Sequence, residues 1–376
     1  MKAVSKILYI LIILFSTNFA QQTEVVSLTE QDAYSVNNLQ GIESEGIKTN
    51  HQKAIPKMRD PALPIKDRVR SVLDEMTLEE KVDFVSGAGF TTKPNIRLGL
   101  PIIAMTDGPL GPNAKGKATN YSSALNMAAT WDDSLMNVIA ASMGAETRVM
   151  GRNMLLGPCI NIARIPQGGR TFEGFGEDPF LTSRMAVAYV KGVQSKNVIA
   201  CPKHFAVNNQ EWNRGVVNVE LSERALREIY FPAFKAVVQE ADAQSIMAAY
   251  NKLRGTYCCS NHELLTDVLR NEWGFNGFVV SDWGGVHNTV QTANSGLDLE
   301  MPDGKYLGDS LLTAIDDGLV SEDRVDSMVS HILTVMFKTG LFDESIIDYG
   351  GLSDTEERRA LALETARKSI VLLKND

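Results

Sequence analysis

The chain has 376 residues, 44% of them hydrophobic and 22% charged, with a formal net charge of -9. That is ordinary globular material, long enough for one barrel of about 250 residues or more with appendages. An acidic balance with no basic cluster interleaved with aromatics argues against a nucleic-acid partner, which needs cations along a phosphate backbone.

At the amino terminus Lys2 and Lys6 precede the apolar run Ile7 to Phe15, and Ser16 to Ala20 form a small-residue exit. This charge order reads as a signal peptide over residues 1–20, which implies export to the periplasm or the medium. Asn18 is not the usual small residue near a cleavage site. The run is too short to span a bilayer, so no membrane span is expected. Residues 21–58 are polar and aperiodic and read as a flexible leader.

The body, expected over residues 59–345, opens with a helix. Thr77 and Glu80 have capping-box spacing, and Leu78, Val82 and Val85 follow with helical period. The apolar run Ile102 to Met105 precedes Asp107-Gly108-Pro109, and Leu135 to Val149 reads as helix. Met154-Leu155-Leu156 precedes Asn161, Arg164 and the loop Gly168 to Glu173, which contains Arg170, before a helix from Phe180 to Val193. Val198 to Cys201 precedes Lys203 and His204, and Leu221 to Glu240 reads as helix. Ser245 to Ala249 precedes Tyr250 and Asn251, and Ser260 with Glu263 repeats the capping-box spacing. Gly277 to Val280 ends in Ser281-Asp282-Trp283. Gly296 to Met301 reads as a later strand, and Leu311 to Ile315 and Val325 to Met336 as closing helices. Ala360 to Arg367 reads as helix and Ile370 to Leu373 as an apolar strand.

Such βα alternation demands a mainly parallel sheet, closed or open. Polar clusters follow at least five successive apolar runs. A ring of loops above a closed barrel gathers all of them, whereas an open sheet gathers ligands only at its switch point, so a (β/α)8 TIM-type barrel is expected. Asp282, past a doubly buried strand, is a candidate nucleophile, and Trp283 offers a flat face for a pyranose ring. Taken alone, Asp282 equally suits a helix N-cap, and His204 a structural hydrogen-bonder.

The run Lys203-His204-Phe205-Ala206 with Asn208 to Glu211, together with Ser281-Asp282-Trp283, resembles the first domain of glycoside hydrolase family 3, most of all its β-glucosidases. The likeness extends through Asp107-Gly108-Pro109, Gly169 to Glu173, Ser222 to Glu228, Met247 to Asn251 and Lys368 to Asn375. The resemblance implies that Asp282 is the nucleophile of a retaining exo-acting β-glucosidase, an O-glycosyl hydrolase, and that Trp283 walls the sugar pocket. It further implies that Asp107, Arg170, Lys203 and His204 hydrogen-bond the sugar hydroxyls, with Tyr250 beside the nucleophile. Ala206 to Asn209 stand where N-acetylglucosaminide-cleaving members carry Pro-Gly and an Asp/His pair, which disfavours that branch. Residues 346–376 would be a linker and the first strand of an incomplete second α/β domain, which in the family supplies the acid/base glutamate. The alternatives are a non-catalytic sugar-binding remnant barrel or a related β-xylosidase.

No cofactor or metal is expected. The five histidines form no close ligand pair, and Gly174-Phe175-Gly176 lacks the third glycine of a dinucleotide fingerprint. Cys159, Cys201, Cys258 and Cys259 could pair in an exported chain or remain buried thiols.

Overall fold

The computed structural model describes residues 55–114, 117–343 and 353–375, all within one unit, Gln52–Asp376. The expected signal peptide, most of the leader and the boundary near residue 345 lie outside the described residues. The end of the leader does not behave as leader. Pro56–Arg59 form a 3-10 turn, Met58 is buried, and its carbonyl accepts from Arg68 Nε at 2.8 Å, so the body begins before residue 59.

Two helices follow, α1 (Ile65–Leu73) and α2 (Leu78–Phe84). The capping box forms: Thr77 Oγ1 accepts from Glu80 N at 3.3 Å and Glu80 Oε2 from Thr77 N at 3.0 Å. A hairpin, β1 (Gly87–Ala88) and β2 (Thr91–Thr92), precedes β3 (Met105–Asp107). Short helix α3 (Ala124–Ala128) leads to α4 (Asp133–Val149), then β4 (Met154–Leu156), α5 (Pro179–Gln194) and β5 (Ile199–Ala200). Strands β3, β4 and β5 pair in parallel.

The long helix expected from Leu221 starts at Glu223 and is interrupted. Residues Leu226–Tyr230 wind as a π-turn, and α6 (Pro232–Ala241) restarts at Pro232, whose nitrogen cannot donate to the preceding turn. A small sheet of β6 (Asn218–Val219), β8 (Lys252–Leu253) and β9 (Thr256–Tyr257) flanks β7 (Ser245–Ala248), which pairs in parallel with β10 (Phe278–Ser281). Both β7 and β10 are buried along their whole length, as expected of a parallel sheet covered on two faces. Gly277 allows β10 to enter its place, since a Cβ there would lie 2.2 Å from Gln244 O. The chain ends with α7 (Val290–Ser295), α8 (Asp309–Asp316), α9 (Glu322–Lys338) and α10 (Glu356–Lys368). This is an α/β fold in which parallel strands alternate with helices.

Three expectations change in detail. The helical segment Glu263–Glu272 is capped by Asn261 Oδ1, which accepts from Leu264 N at 3.0 Å, while Ser260 Oγ meets Thr292 Oγ1 at 2.7 Å. Gly296 to Met301 pairs through single bridges, Leu299 to Val280 and Glu300 to Ser86, and the Asp298 carboxylate adds to them by accepting from Val279 N at 2.8 Å. Ile370 to Leu373 form no strand and stay exposed, since a strand needs a pairing edge and none lies beside them among the described residues. The four cysteines are buried free thiols. Among the described residues no helix is long and apolar enough to cross a membrane.

Fully buried Asp298 also ties the fold together. It is paired with Arg270, with Arg324 at 3.4 Å and with His331 Nδ1 at 2.9 Å. Burial alone would raise its pKa, but Arg270, His331 and Arg324 hold it at about 2. Asp298→Asn leaves two guanidinium groups facing a neutral amide, and unfolding in urea at pH 7 should show a loss of about 3–5 kcal/mol. Because the folded pKa is depressed, this stabilisation is complete above about pH 4 and drains away as pH falls toward 2. A loss under about 1 kcal/mol at pH 7 would mean that the network contributes no net stability.

Candidate active site

The polar ends of the parallel strands converge. Asp107 closes β3, where Gly108, with φ +136°, lets the chain turn back onto Gly111, whose carbonyl a Cβ would strike at 1.8 Å. Lys203 and His204 follow β5, and buried Phe205 anchors them by packing its ring against Phe231, Phe234 and Trp273 at 4.9–5.7 Å. Tyr250 follows β7, and Asp282 and Trp283 follow β10. Arg170 comes from the loop between β4 and α5.

These residues form one connected cluster. Lys203 Nζ donates to Asp107 Oδ1 at 2.6 Å; the lysine is almost wholly buried and the carboxylate half exposed. Burial works against the Lys203 charge, but Asp107 more than offsets it and raises the lysine's pKa. Burial likewise works to raise the Asp107 pKa, yet Lys203 and Arg170 leave it lowered. Both therefore remain charged at neutral pH. His204 is the opposite case: burial, reinforced by Lys203, Arg170 and Arg214, holds its pKa well below the usual imidazole value, so the ring is neutral. Arg170 donates to Glu173 through Nε at 3.0 Å and Nη2 at 2.5 Å, and its Nη1 lies 3.4 Å from His204 Nε2.

Asp282 sits at the centre, 8% exposed. Its Oδ1 accepts from Trp283 N at 2.8 Å. Its Oδ2 is buried with no hydrogen-bond partner and lies 3.6 Å from His204 Nε2. Burial raises the Asp282 pKa, while Lys203, the Trp283 amide, Tyr250 and Arg214 pull it back. A desolvated carboxylate oxygen without a partner is costly unless nearby cations stabilise it, as Lys203 does here. It is a Lewis base, able to attack an electrophilic carbon or accept from a hydroxyl.

The aromatic wall is fixed from both sides. Trp283 Nε1 donates to Gly89 O at 3.0 Å, and its ring lies 4.9 Å from that of Phe90. Tyr250 Oη donates to Trp283 O at 2.9 Å, and the Arg214 guanidinium lies 4.5 Å from the tyrosine ring centroid while Nη1 donates to Glu211 at 2.6 Å. The seven residues singled out from sequence, Asp107, Arg170, Lys203, His204, Tyr250, Asp282 and Trp283, all lie in this cluster. Sequence reasoning passed over Phe90 and Arg214, neither of which follows a recognisable strand, and treated Asn161 as one polar residue among several.

The model for the glycosyl hydrolase family 3 N-terminal domain matches residues 70–335. A thermostable β-glucosidase B from Acetivibrio thermocellus is 43% identical over 322 residues, which cover 82% of this chain and 42% of that protein. An exo-α-(1→6)-L-arabinopyranosidase from Bifidobacterium longum is 40% identical over 316 residues, covering 80% and 41%. The solved structure of β-glucosidase 3B from Thermotoga neapolitana in complex with glucose superposes with a TM-score of 0.77 at 39% identity, over 82% of this chain and 47% of that one. The chain thus spans less than half the length of these relatives. On the extent of the family match and these identities, the chain belongs to glycosyl hydrolase family 3.

Proposed function

We propose that this chain carries the nucleophile and the sugar-binding groups of a retaining, exo-acting β-glucosidase. The observation that carries the reading is the buried, unpartnered Asp282 Oδ2, held beside neutral His204 and close to the Lys203 charge. In this mechanism Asp282 Oδ2 bonds to the anomeric carbon as the glycosidic bond breaks, and water later cleaves the resulting ester, returning the original configuration. Asp107, Lys203, His204 and Arg170 would hold the sugar's hydroxyls and Trp283 its apolar face. The reading includes a second protein domain supplying the proton donor, since the relatives are more than twice as long as the segment they share with this chain. It also includes export, on the strength of Lys2, Lys6 and the run Ile7 to Phe15.

The same reading takes the short parallel ladders as arcs of one (β/α)8 barrel. Parallel pairings support it, from β3 to β4 to β5, Phe205 to Ala248, β7 to β10, Val280 to Leu299 and Glu300 to Ser86, while the β1/β2 hairpin and the Thr91 to Ala104 bridge are antiparallel and depart from eight parallel strands.

The test compares 4-nitrophenyl β-D-glucoside with the β-D-xyloside and the α-L-arabinopyranoside, alongside glucose binding by calorimetry. Release of nitrophenol fastest from the glucoside is the expected result. Truncating Lys203 or Asp107 should weaken glucose by about 1–3 kcal/mol, the range for losing a charged hydrogen-bond partner. Binding without turnover of any glycoside would favour a sugar-binding remnant, faster xyloside cleavage a β-xylosidase, and unchanged glucose affinity in both truncations would put the sugar elsewhere.

A further inference from the structure

The loop after β4 is laced to the segment after β5. Lys203 N donates to Pro158 O at 2.9 Å and Ile160 N to Lys203 O at 2.8 Å, which sets Asn161 directly opposite His204. Asn161 then grips His204 by both backbone groups: its Oδ1 accepts from His204 N at 2.9 Å and its Nδ2 donates to His204 O at 2.8 Å. A backbone N–H can only donate and a carbonyl can only accept, so the two bonds fix which end of the amide is oxygen. That oxygen also lies 3.0 Å from His204 Nδ1. An amide oxygen opposite a ring nitrogen requires the hydrogen to sit on that nitrogen. In a neutral imidazole the other nitrogen is then a bare lone pair.

The far side of the ring agrees. Arg170 Nη1, which can only donate, faces Nε2 at 3.4 Å. Asp282 Oδ2 lies 3.6 Å from the same nitrogen yet has no hydrogen-bond partner, as expected if two lone pairs face each other. Cys159 Sγ, 4.0 Å from Nδ1, is too distant to compete with the amide oxygen.

We infer that Asn161 is a positioning residue that locks His204 as the Nδ1–H tautomer, so that Nε2 accepts a hydrogen bond from a substrate hydroxyl. The hydroxyl rests on the function proposed above; the tautomer does not. With the proton on Nε2 instead, His204 would donate to Asp282 Oδ2 and blunt it as a nucleophile. The lock therefore does two things: it keeps the nucleophile free and it presents an acceptor to the sugar.

The tautomer can be read directly from long-range proton–nitrogen NMR spectra of the 376-residue chain labelled at histidine, with His204→Gln identifying the signal among the five histidines. At neutral pH His204 should show a protonated Nδ1 and an unprotonated Nε2. Asn161→Ala should move the population toward Nε2–H and weaken glucose roughly tenfold or more, the loss expected when a buried hydrogen-bond partner points the wrong way. Asn161→Asp keeps an oxygen opposite Nδ1, so it should retain the tautomer while its negative charge raises the His204 pKa and shifts the acid limb of glucose binding to higher pH. The tautomer is the readout that a merely structural residue would leave unchanged. An Nε2–H or doubly protonated ring in the unmutated chain, or an unchanged tautomer in Asn161→Ala, would overturn the inference. A locked tautomer in a chain that binds no glucose would instead uphold the role of Asn161 and reject the substrate.

Discussion

On the proposed retaining mechanism, Asp282→Asn is expected to lower kcat on aryl glucosides by roughly 10⁴-fold or more, the scale on which enzymes lose turnover when a covalent nucleophile is removed. A 2-deoxy-2-fluoroglucoside with a dinitrophenolate leaving group should add one fluoroglucosyl unit to the peptide containing Asp282 and none to the variant. Labelling of Glu173, Asp178 or Glu211 instead would transfer the role to that residue. The substitution should not damage the fold. Asn retains the oxygen that accepts from Trp283 N, and its new Nδ2 points toward the His204 Nε2 lone pair that the carboxylate oxygen could only oppose. The variant should therefore match or exceed the parent in thermal stability, a trade of stability for function seen where sites hold groups at a cost.

The sign of that gain with pH is fixed. Burial raises the folded-state pKa of Asp282, so folding disfavours its ionised form, and the penalty is fully present above the raised value. It disappears as pH falls below the unfolded carboxylate's value of about 3.9. Asp282→Asn should thus gain most at neutral pH and nothing near pH 3. Destabilisation at pH 7 would mean that the surrounding cations more than compensate the desolvated charge.

The strand ends were the most legible part of the sequence, because a short apolar run followed by polar residues has few solutions in a parallel sheet. Asp107, Lys203, His204, Tyr250 and Asp282 each follow such a run, and the fold brings their side chains together. Local chemistry was equally readable where one short-range rule decides the outcome, as at Thr77 and Glu80. It failed where a longer-range partner took over, as when Asn261 rather than Ser260 capped the next helical segment. Lengths were overread: the run at Val198 to Cys201 yields a ladder of two residues, since pairing, not apolarity, ends a strand. Asn161 and Arg214 were illegible because their roles depend on contacts across the fold, Asn161 with a residue 43 positions away and Arg214 with the ring of Tyr250. Phe90 belongs to the wall only through the β1/β2 hairpin, whose turn glycine, Gly89 (φ +67°), lacks the alternating apolar flanks that would announce it.

The remaining large effect concerns the proton donor. Retaining catalysis normally pairs the nucleophile with a second carboxyl group about 5–5.5 Å away. Three carboxylates in the neighbouring loops are otherwise engaged. Both Glu173 oxygens accept from Arg170, Glu211 is paired with Arg214, and Asp178 caps α5 by accepting from Leu181 N at 2.7 Å. If the donor comes from outside these 376 residues, the chain should react with 2,4-dinitrophenyl β-glucoside, whose leaving group departs without protonation. It should barely cleave cellobiose, whose alkoxide needs a general acid contributing about 10²- to 10⁴-fold. The ratio of the two rates should therefore exceed that of the full-length protein by the same factor, and added azide should speed decay of the glucosyl ester without restoring cellobiose cleavage. Efficient hydrolysis of cellobiose by the isolated chain would sink this assignment. Substituting Glu173, Glu211 and Asp178 in turn would then identify the acid as the residue whose loss abolishes cellobiose turnover but spares the dinitrophenyl glucoside.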